Sequence, residues 1–118
     1  MRKPHVLFVC GRNQWRSPTA FEVYKRDQRI DVRSAGVSSK SRHQISERDL
    51  LWADLVLVME RNYAGHILGI FRDVDPFPLI DSLDIPDEYE YMDDELVERI
   101  IEGTESHLNR RFGIKRMT

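Results

Sequence analysis

A single cysteine in 118 residues excludes an internal disulfide framework and a cysteine-based zinc site. No apolar run reaches membrane-spanning length, and the apolar part of MRKPHVLFVCGRN is too short for a signal peptide. The expectation is therefore a cytoplasmic protein with no membrane partner. Internal repeats, linkers and low-complexity stretches are missing too. His5, His66 and His107 have no metal-ligand spacing and read as surface or satisfied residues; neither a metal nor a cofactor is expected. Nor does either charge dominate, with 18 Lys and Arg against 20 Asp and Glu. The cations are too scattered, and too poor in interleaved aromatics, for nucleic acid to be the partner. What remains, 41% hydrophobic and 32% charged residues, describes one ordinary globular domain over residues 1–118, expected to be a monomer.

The balanced charge conceals a division. Residues 1–45 carry ten basic and three acidic side chains, whereas residues 73–105 carry one basic and thirteen acidic ones. A basic front and an acidic back are compatible with an anion site fed from one side, or with two solvated faces.

Apolar patterning predicts a βα rhythm. His5 to Val9 is a continuous apolar run, the mark of a strand buried on both faces. Ser17-Pro18 offers an N-cap followed by proline at the first helical position, opening a helix over 17–28 with Ala20, Phe21 and Tyr24 at helical spacing. A second strand is expected over 30–34, closed by Ala35-Gly36. Ser46 with Asp49 forms a capping-box pattern, and a third buried strand covers 54–59. A helical stripe runs over 61–71, a fourth strand over 79–83, and Asp93 caps a last helix presenting Leu96, Val97, Ile100, Ile101 and Leu108. The fold class is α/β: a single three-layer domain, a four-stranded parallel sheet with helices on both faces. Such sheets bind ligands beyond the carboxyl ends of their strands. Two polar segments, 10–17 and 84–89, follow strands and open onto that edge.

The first of these carries the chemistry. Cys10-Gly11-Arg12-Asn13-Gln14-Trp15-Arg16-Ser17 runs from strand to helix, and a loop of that length wraps its amides around one tetrahedral oxyanion at a helix N-terminus. Arg16 adds a bidentate, permanently charged fork. The same field favours a thiolate on Cys10 at the bottom of the cup, and a thiolate facing a phosphoryl group is a nucleophile. Ser17 is placed to donate a hydrogen bond to it. Cys-x5-Arg alone is a weak signal; the preceding apolar strand, Asn13 and Ser17-Pro18 make it specific.

These residues resemble the start of the low-molecular-weight protein tyrosine phosphatases. The similarity continues through Arg33-Ser34-Ala35-Gly36, Ala53 to Glu60, and Pro86-Asp87-Glu88-Tyr89, which resembles the family's Pro-Asp-Pro-Tyr loop. The resemblance implies a metal-free phosphatase with a phosphocysteine intermediate, acting on a phosphotyrosine-containing protein or a small aryl phosphate. It assigns Cys10 as nucleophile, Arg16 as phosphate clamp, Asn13 as a loop-shaping residue, Ser17 as thiolate partner and Asp87 as general acid and base. Gly11, Arg12, Asn13, Gln14, Trp15, Arg16 and Ser17 would form the phosphate-binding loop, with Trp15 and Tyr89 as walls. Three features depart from the family. Trp15 stands where many members carry a second cysteine, Arg12 where glycine is common, and the chain is shortened between Met59 and Pro86.

Asp84, two residues nearer the strand than Pro86, is the competing acid, and Glu88 replaces the second proline of the motif. Tyr91 is a further candidate wall, His43 is either a mouth residue or an exposed loop histidine, and Trp52 is expected to pack. Two other functions stay open: an arsenate reductase-like thiol-redox enzyme using an external thiol, and a catalytically silent phosphate-binding module.

Overall fold

The computed structural model describes residues 2–116. The order of elements is β1 (His5–Cys10), α1 (Arg16–Tyr24), β2 (Asp31–Gly36), α2 (Glu47–Trp52), β3 (Leu55–Val58), α3 (Arg61–Ile70), β4 (Leu79–Ser82) and α4 (Asp94–Phe112). The four strands form one parallel sheet in the order β2-β1-β3-β4. The chain thus moves outward from β1 to β2 and then crosses back to β3 on the other side. That reversal puts a crevice at the carboxyl ends of β1 and β3.

Both faces of β1 are buried, because alternate residues serve different layers. Val6 and Phe8 pack with Ala20 and Tyr24 of α1 and with Leu96, Ile100 and Leu108 of α4. Leu7 and Val9 pack with Leu50 of α2 and Ile67 of α3. Helices therefore cover both faces, and the apolar runs of β1 and β3 follow from burial on each side. No helix among the described residues is long and apolar enough to cross a membrane.

Local signals placed most helix ends. Ser46 and Asp49 form the expected capping box on α2. Asp93 accepts from the amides of Glu95 and Leu96 at 2.9 and 3.3 Å, and Gly113, at φ 65°, closes α4 in the left-handed conformation glycine tolerates. Helix α1 is the correction. It begins at Arg16 with Trp15 at the N-cap, so Ser17 lies inside the first turn and its hydroxyl is directed to the loop instead of capping. It also ends at Tyr24, short of the expected residue 28. Asp27 takes over there: its carboxylate accepts from the Arg29 amide at 2.9 Å and from the Arg29 side chain, a local closure that competes with helix.

Candidate active site

Cys10 ends β1, and the loop that follows is held by its neighbour. The carbonyls of Cys10, Gly11 and Arg12 accept from the amides of Val37, Ser38 and Arg42 at 3.0, 2.8 and 3.3 Å. With its carbonyls committed to the 37–42 segment, the amide side of the loop is what remains for an anion. The approach is close: a Cβ on Gly36 would lie 2.7 Å from the Asn13 backbone nitrogen, so only glycine fits the end of β2 here. Asn13 takes φ 53°, a left-handed conformation that asparagine adopts more readily than most residues. Its amide nitrogen donates to Ser17 Oγ at 2.8 Å and to Ser34 Oγ at 3.1 Å, which fixes the turn.

Ser17 Oγ lies 3.0 Å from Cys10 Sγ and 3.2 Å from the Ala35 carbonyl. Asn13 already donates to this hydroxyl, so its single proton has two acceptors to choose from. An ionised sulfur is the stronger acceptor and draws it. Ser17 is fully buried and does not line the cavity; it reaches an anion only through the thiol.

The cavity itself measures about 280 Å³ and has Cys10, Arg16 and Asp87 on one lining, together with Gly11, Arg12, Gln14 and Trp15 of the loop. Arg16 is 3% exposed, yet its charge is compensated. Nη1 donates to Glu60 Oε2 and to the Ile85 carbonyl, each at 2.7 Å, and Nη2 donates to the Tyr63 hydroxyl at 2.9 Å. Burial works to raise the Glu60 carboxyl, but its hydrogen bonds with Arg16 and Tyr63 outweigh that and hold it below the usual range. Burial, and next the bond to Glu60, push the Tyr63 hydroxyl up, so it keeps its proton and donates it to Glu60 at 2.8 Å. The guanidinium is thereby pinned by three residues, two at the start of α3 and one after β4, with Nε turned toward Asp87 Oδ1 at 3.6 Å.

Asp87 sits at the mouth with its side chain 61% exposed. Its segment is anchored on both sides, by Ile85 N donating to the Met59 carbonyl at 2.8 Å and by Met92 N donating to Thr19 Oγ1 at 2.9 Å. Asp84 lies elsewhere. It takes φ 54° and pairs with Arg61 at 3.0 Å. Arg61 first, then Ser82, hold its carboxyl below the ordinary value.

Tyr89 does not occupy the wall position expected of it. Its ring is buried with Leu96 in the α1–α4 layer, its hydroxyl donates to Glu95, and the Arg99 guanidinium lies 5.7 Å from the ring centroid. Acidic and basic partners on α4 pull the ring inward. Tyr91 also lies off this cavity, although near it. Trp15 does line it, together with Tyr63, Val37 and Ser38. Helical periodicity alone places Tyr63 only within the apolar stripe over 61–71. The signal that would have found it is Glu60, which lies just beyond the carboxyl end of β3 as the Cys10 loop lies just beyond that of β1, with Tyr63 in the first turn of α3. His43 faces Asp49 at 2.8 Å, away from the cavity. Trp52 stacks on His5 at 4.4 Å. Among the described residues no three His, Cys, Asp or Glu side chains gather in a metal-ligating arrangement.

No protein-family model matches the sequence, and no curated protein matches it. Solved structures do share the fold. SP-PTP, a low molecular weight protein tyrosine phosphatase from Streptococcus pyogenes, is similar with a TM-score of 0.73 and 20% identity, over 92% of this chain and 93% of its own. Vibrio vulnificus Wzb, solved with benzylphosphonate, gives 0.72 and 22%, over 92% and 99%. The YwlE arginine phosphatase from Geobacillus stearothermophilus gives 0.66 and 21%, over 98% and 99%. The chain thus has the low-molecular-weight phosphatase fold along almost its full length.

Proposed function

We propose that the protein is a cysteine-dependent phosphatase that hydrolyses aryl phosphate monoesters, with phosphotyrosine in a protein as its substrate. The observation that carries this reading is the convergence of Cys10 Sγ, the Arg16 guanidinium and the Asp87 carboxyl on one cavity. Nucleophile and anion clamp are thus supplied by the one segment joining β1 to α1, and the proton donor by the separate segment after β4. The fold is shared with a tyrosine phosphatase and an arginine phosphatase. The aromatic side chains of Trp15 and Tyr63 on the cavity lining favour a flat aryl ring over the flexible alkyl chain of a phosphorylated arginine.

In this mechanism the loop amides and Arg16 hold the phosphoryl oxygens, and Cys10 Sγ attacks phosphorus in line. The bond from phosphorus to the phenolic oxygen breaks, and that oxygen takes the proton of the Asp87 carboxyl. Water then attacks the phosphocysteine and gives its proton to the Asp87 carboxylate. Breaking the S–P bond releases inorganic phosphate and restores the thiolate, with Ser17 donating to sulfur at each stage where it is charged. Arg16 and the loop amides bear the charge of both transition states. Every group the chemistry needs belongs to this chain. A free thiol nucleophile works in a reducing compartment, which supports a cytoplasmic location for the reaction, and the proposed enzyme acts as a monomer.

The reading is tested by trapping. Rapid quenching with a labelled aryl phosphate should leave label on Cys10, and Cys10→Ser should abolish turnover. Retained turnover in that variant would overturn the assignment. Reduction of arsenate by the wild-type protein with an external thiol, without aryl phosphate hydrolysis, would establish the thiol-redox alternative instead.

A further inference from the structure

A second depression, of about 330 Å³, adjoins the Cys10 cavity and shares Gln14 and Trp15 with it. Pro18 and Phe21 of α1 line it, and Tyr91 and Arg42 also border it. A third depression of about 340 Å³ continues the line, sharing Phe21 and Ser34 with the second. The three form a trough leading from the nucleophile across α1 and β2. A phosphorylated amino acid alone would fill only its first part.

The trough has a definite chemistry. Trp15 and Tyr91 are 41% and 50% exposed, so two large aromatic surfaces stand open beside the cavity, where covering them is favourable. The charges around it are unequal in their freedom. Glu22 is paired with Lys25 at 2.6 Å, while Arg33 and His43 are both drawn to Asp49, at 3.4 and 2.8 Å. Arg12 and Arg42, both exposed, have no acidic partner among the described residues, and their backbones meet where the Arg42 amide donates to the Arg12 carbonyl at 3.3 Å. Uncompensated positive charge therefore flanks an apolar surface that is continuous with the reacting centre.

We infer that the trough receives the polypeptide flanking the phosphorylated residue of a protein substrate. A large apolar side chain packs between Trp15 and Tyr91, and an acidic side chain meets Arg42. The inference rests on the phosphatase reading. Because the first two depressions share a wall and an extended chain advances about 3.3 Å per residue, the apolar side chain belongs one or two positions from the phosphorylated one.

The test compares p-nitrophenyl phosphate with phosphotyrosine peptides carrying Phe and Glu on the N-terminal side, on the C-terminal side, or Ala throughout. One Phe-Glu peptide should exceed the Ala peptide in kcat/KM, by an advantage that shrinks as salt rises. Arg42→Glu should lower kcat/KM for that peptide about threefold to fivefold, favour a Phe-Lys peptide instead, and leave p-nitrophenyl phosphate turnover unchanged. Tyr91→Ala should remove the Phe preference while sparing the small substrate. Equal kcat/KM for all peptides in the wild type, or equal effects of Arg42→Glu on peptide and small substrate, would overturn the inference and leave the phosphatase reading intact. So would a dimer in sedimentation that Arg42→Glu dissociates, since a second copy would then fill the trough. Absence of turnover with every one of these phosphates would overturn the phosphatase reading and the trough's role together.

Discussion

Arg16 Nη1 lies 2.7 Å from Glu60 Oε2, so the guanidinium is aligned by the protein rather than by the substrate. Glu60 does not line the cavity; it acts through Arg16 and is a positioning residue. Glu60→Gln keeps its shape and one acceptor but removes the charge. A hydrogen bond between charged groups contributes about 1.5–3 kcal/mol, so we expect kcat/KM for an aryl phosphate to fall by about tenfold to a hundredfold. Inhibition by inorganic phosphate should weaken in parallel, because the same guanidinium holds both anions. Arg16→Lys, which loses the planar fork, should cost more than Glu60→Gln. Unchanged phosphate inhibition in Glu60→Gln would show that the ion pair does not orient the clamp.

The choice between Asp87 and Asp84 follows from placement. Asp87 borders the cavity and faces Arg16 at 3.6 Å, whereas Asp84 is engaged by Arg61 at 3.0 Å. Asp87→Asn should lower kcat by about a hundredfold to ten-thousandfold on a phenyl phosphate. The loss should be much smaller with p-nitrophenyl phosphate, whose leaving oxygen needs little protonation. Asp84→Asn should leave both rates within about twofold, since it removes only an exposed ion pair. A larger loss from Asp84→Asn would reverse the assignment.

Ser17→Ala removes a hydroxyl that is within 3.0 Å of Cys10 Sγ and also accepts from Asn13. A hydrogen bond to a charged group contributes about 1.5–3 kcal/mol, so turnover should fall by about one to two orders of magnitude. Carboxymethylation of Cys10 by iodoacetate at neutral pH should slow as well. A variant that reacts with iodoacetate as fast as the wild type would show that Ser17 does not assist the sulfur.

The sheet and its loop were legible because their signals are local. The apolar runs of β1 and β3 follow from burial on both faces, and Cys10 to Ser17 lie together in one strand-loop-helix turn. The Ser46–Asp49 box and the Asp93 cap were equally local. The misreadings concern residues whose role is set from a distance. Tyr89 keeps its place in the motif, yet α4 supplies Glu95 and Arg99 and turns the ring inward. Tyr63 becomes a wall only because β3, which leads into α3, lies beside β1 in the β2-β1-β3-β4 order, which periodicity along one helix does not reveal. Ser17 has the residue type of an N-cap and serves the thiol instead, since the helix begins one residue earlier.

Far from the cavity, Arg29 binds α4 to the turn after α1. Its guanidinium donates to both oxygens of Glu105 at 2.8 Å and to Asp27 at 2.7 Å, while the Tyr24 hydroxyl donates to Glu105 Oε2 at 2.8 Å. The Glu105 side chain is 6% exposed, so the charges are only weakly screened. Arg29 is the main cause holding the carboxyls of both Glu105 and Asp27 below their ordinary values. Depressed folded-state values mean that the unfolded chain binds protons first as pH falls. The stabilisation is fully present above the ordinary carboxylate range and is lost as pH drops through the depressed values. Thermal stability should accordingly change little from neutral pH to about pH 5 and fall below about pH 4. Glu105→Gln should destabilise by about 3 kcal/mol at neutral pH, because it leaves Arg29 with one charged partner fewer in a largely buried site. The gap between wild type and variant, measured by urea denaturation, should narrow below about pH 4 as the wild-type carboxylate is itself neutralised. A gap that stays constant across that range would show that the network contributes through packing and not through charge.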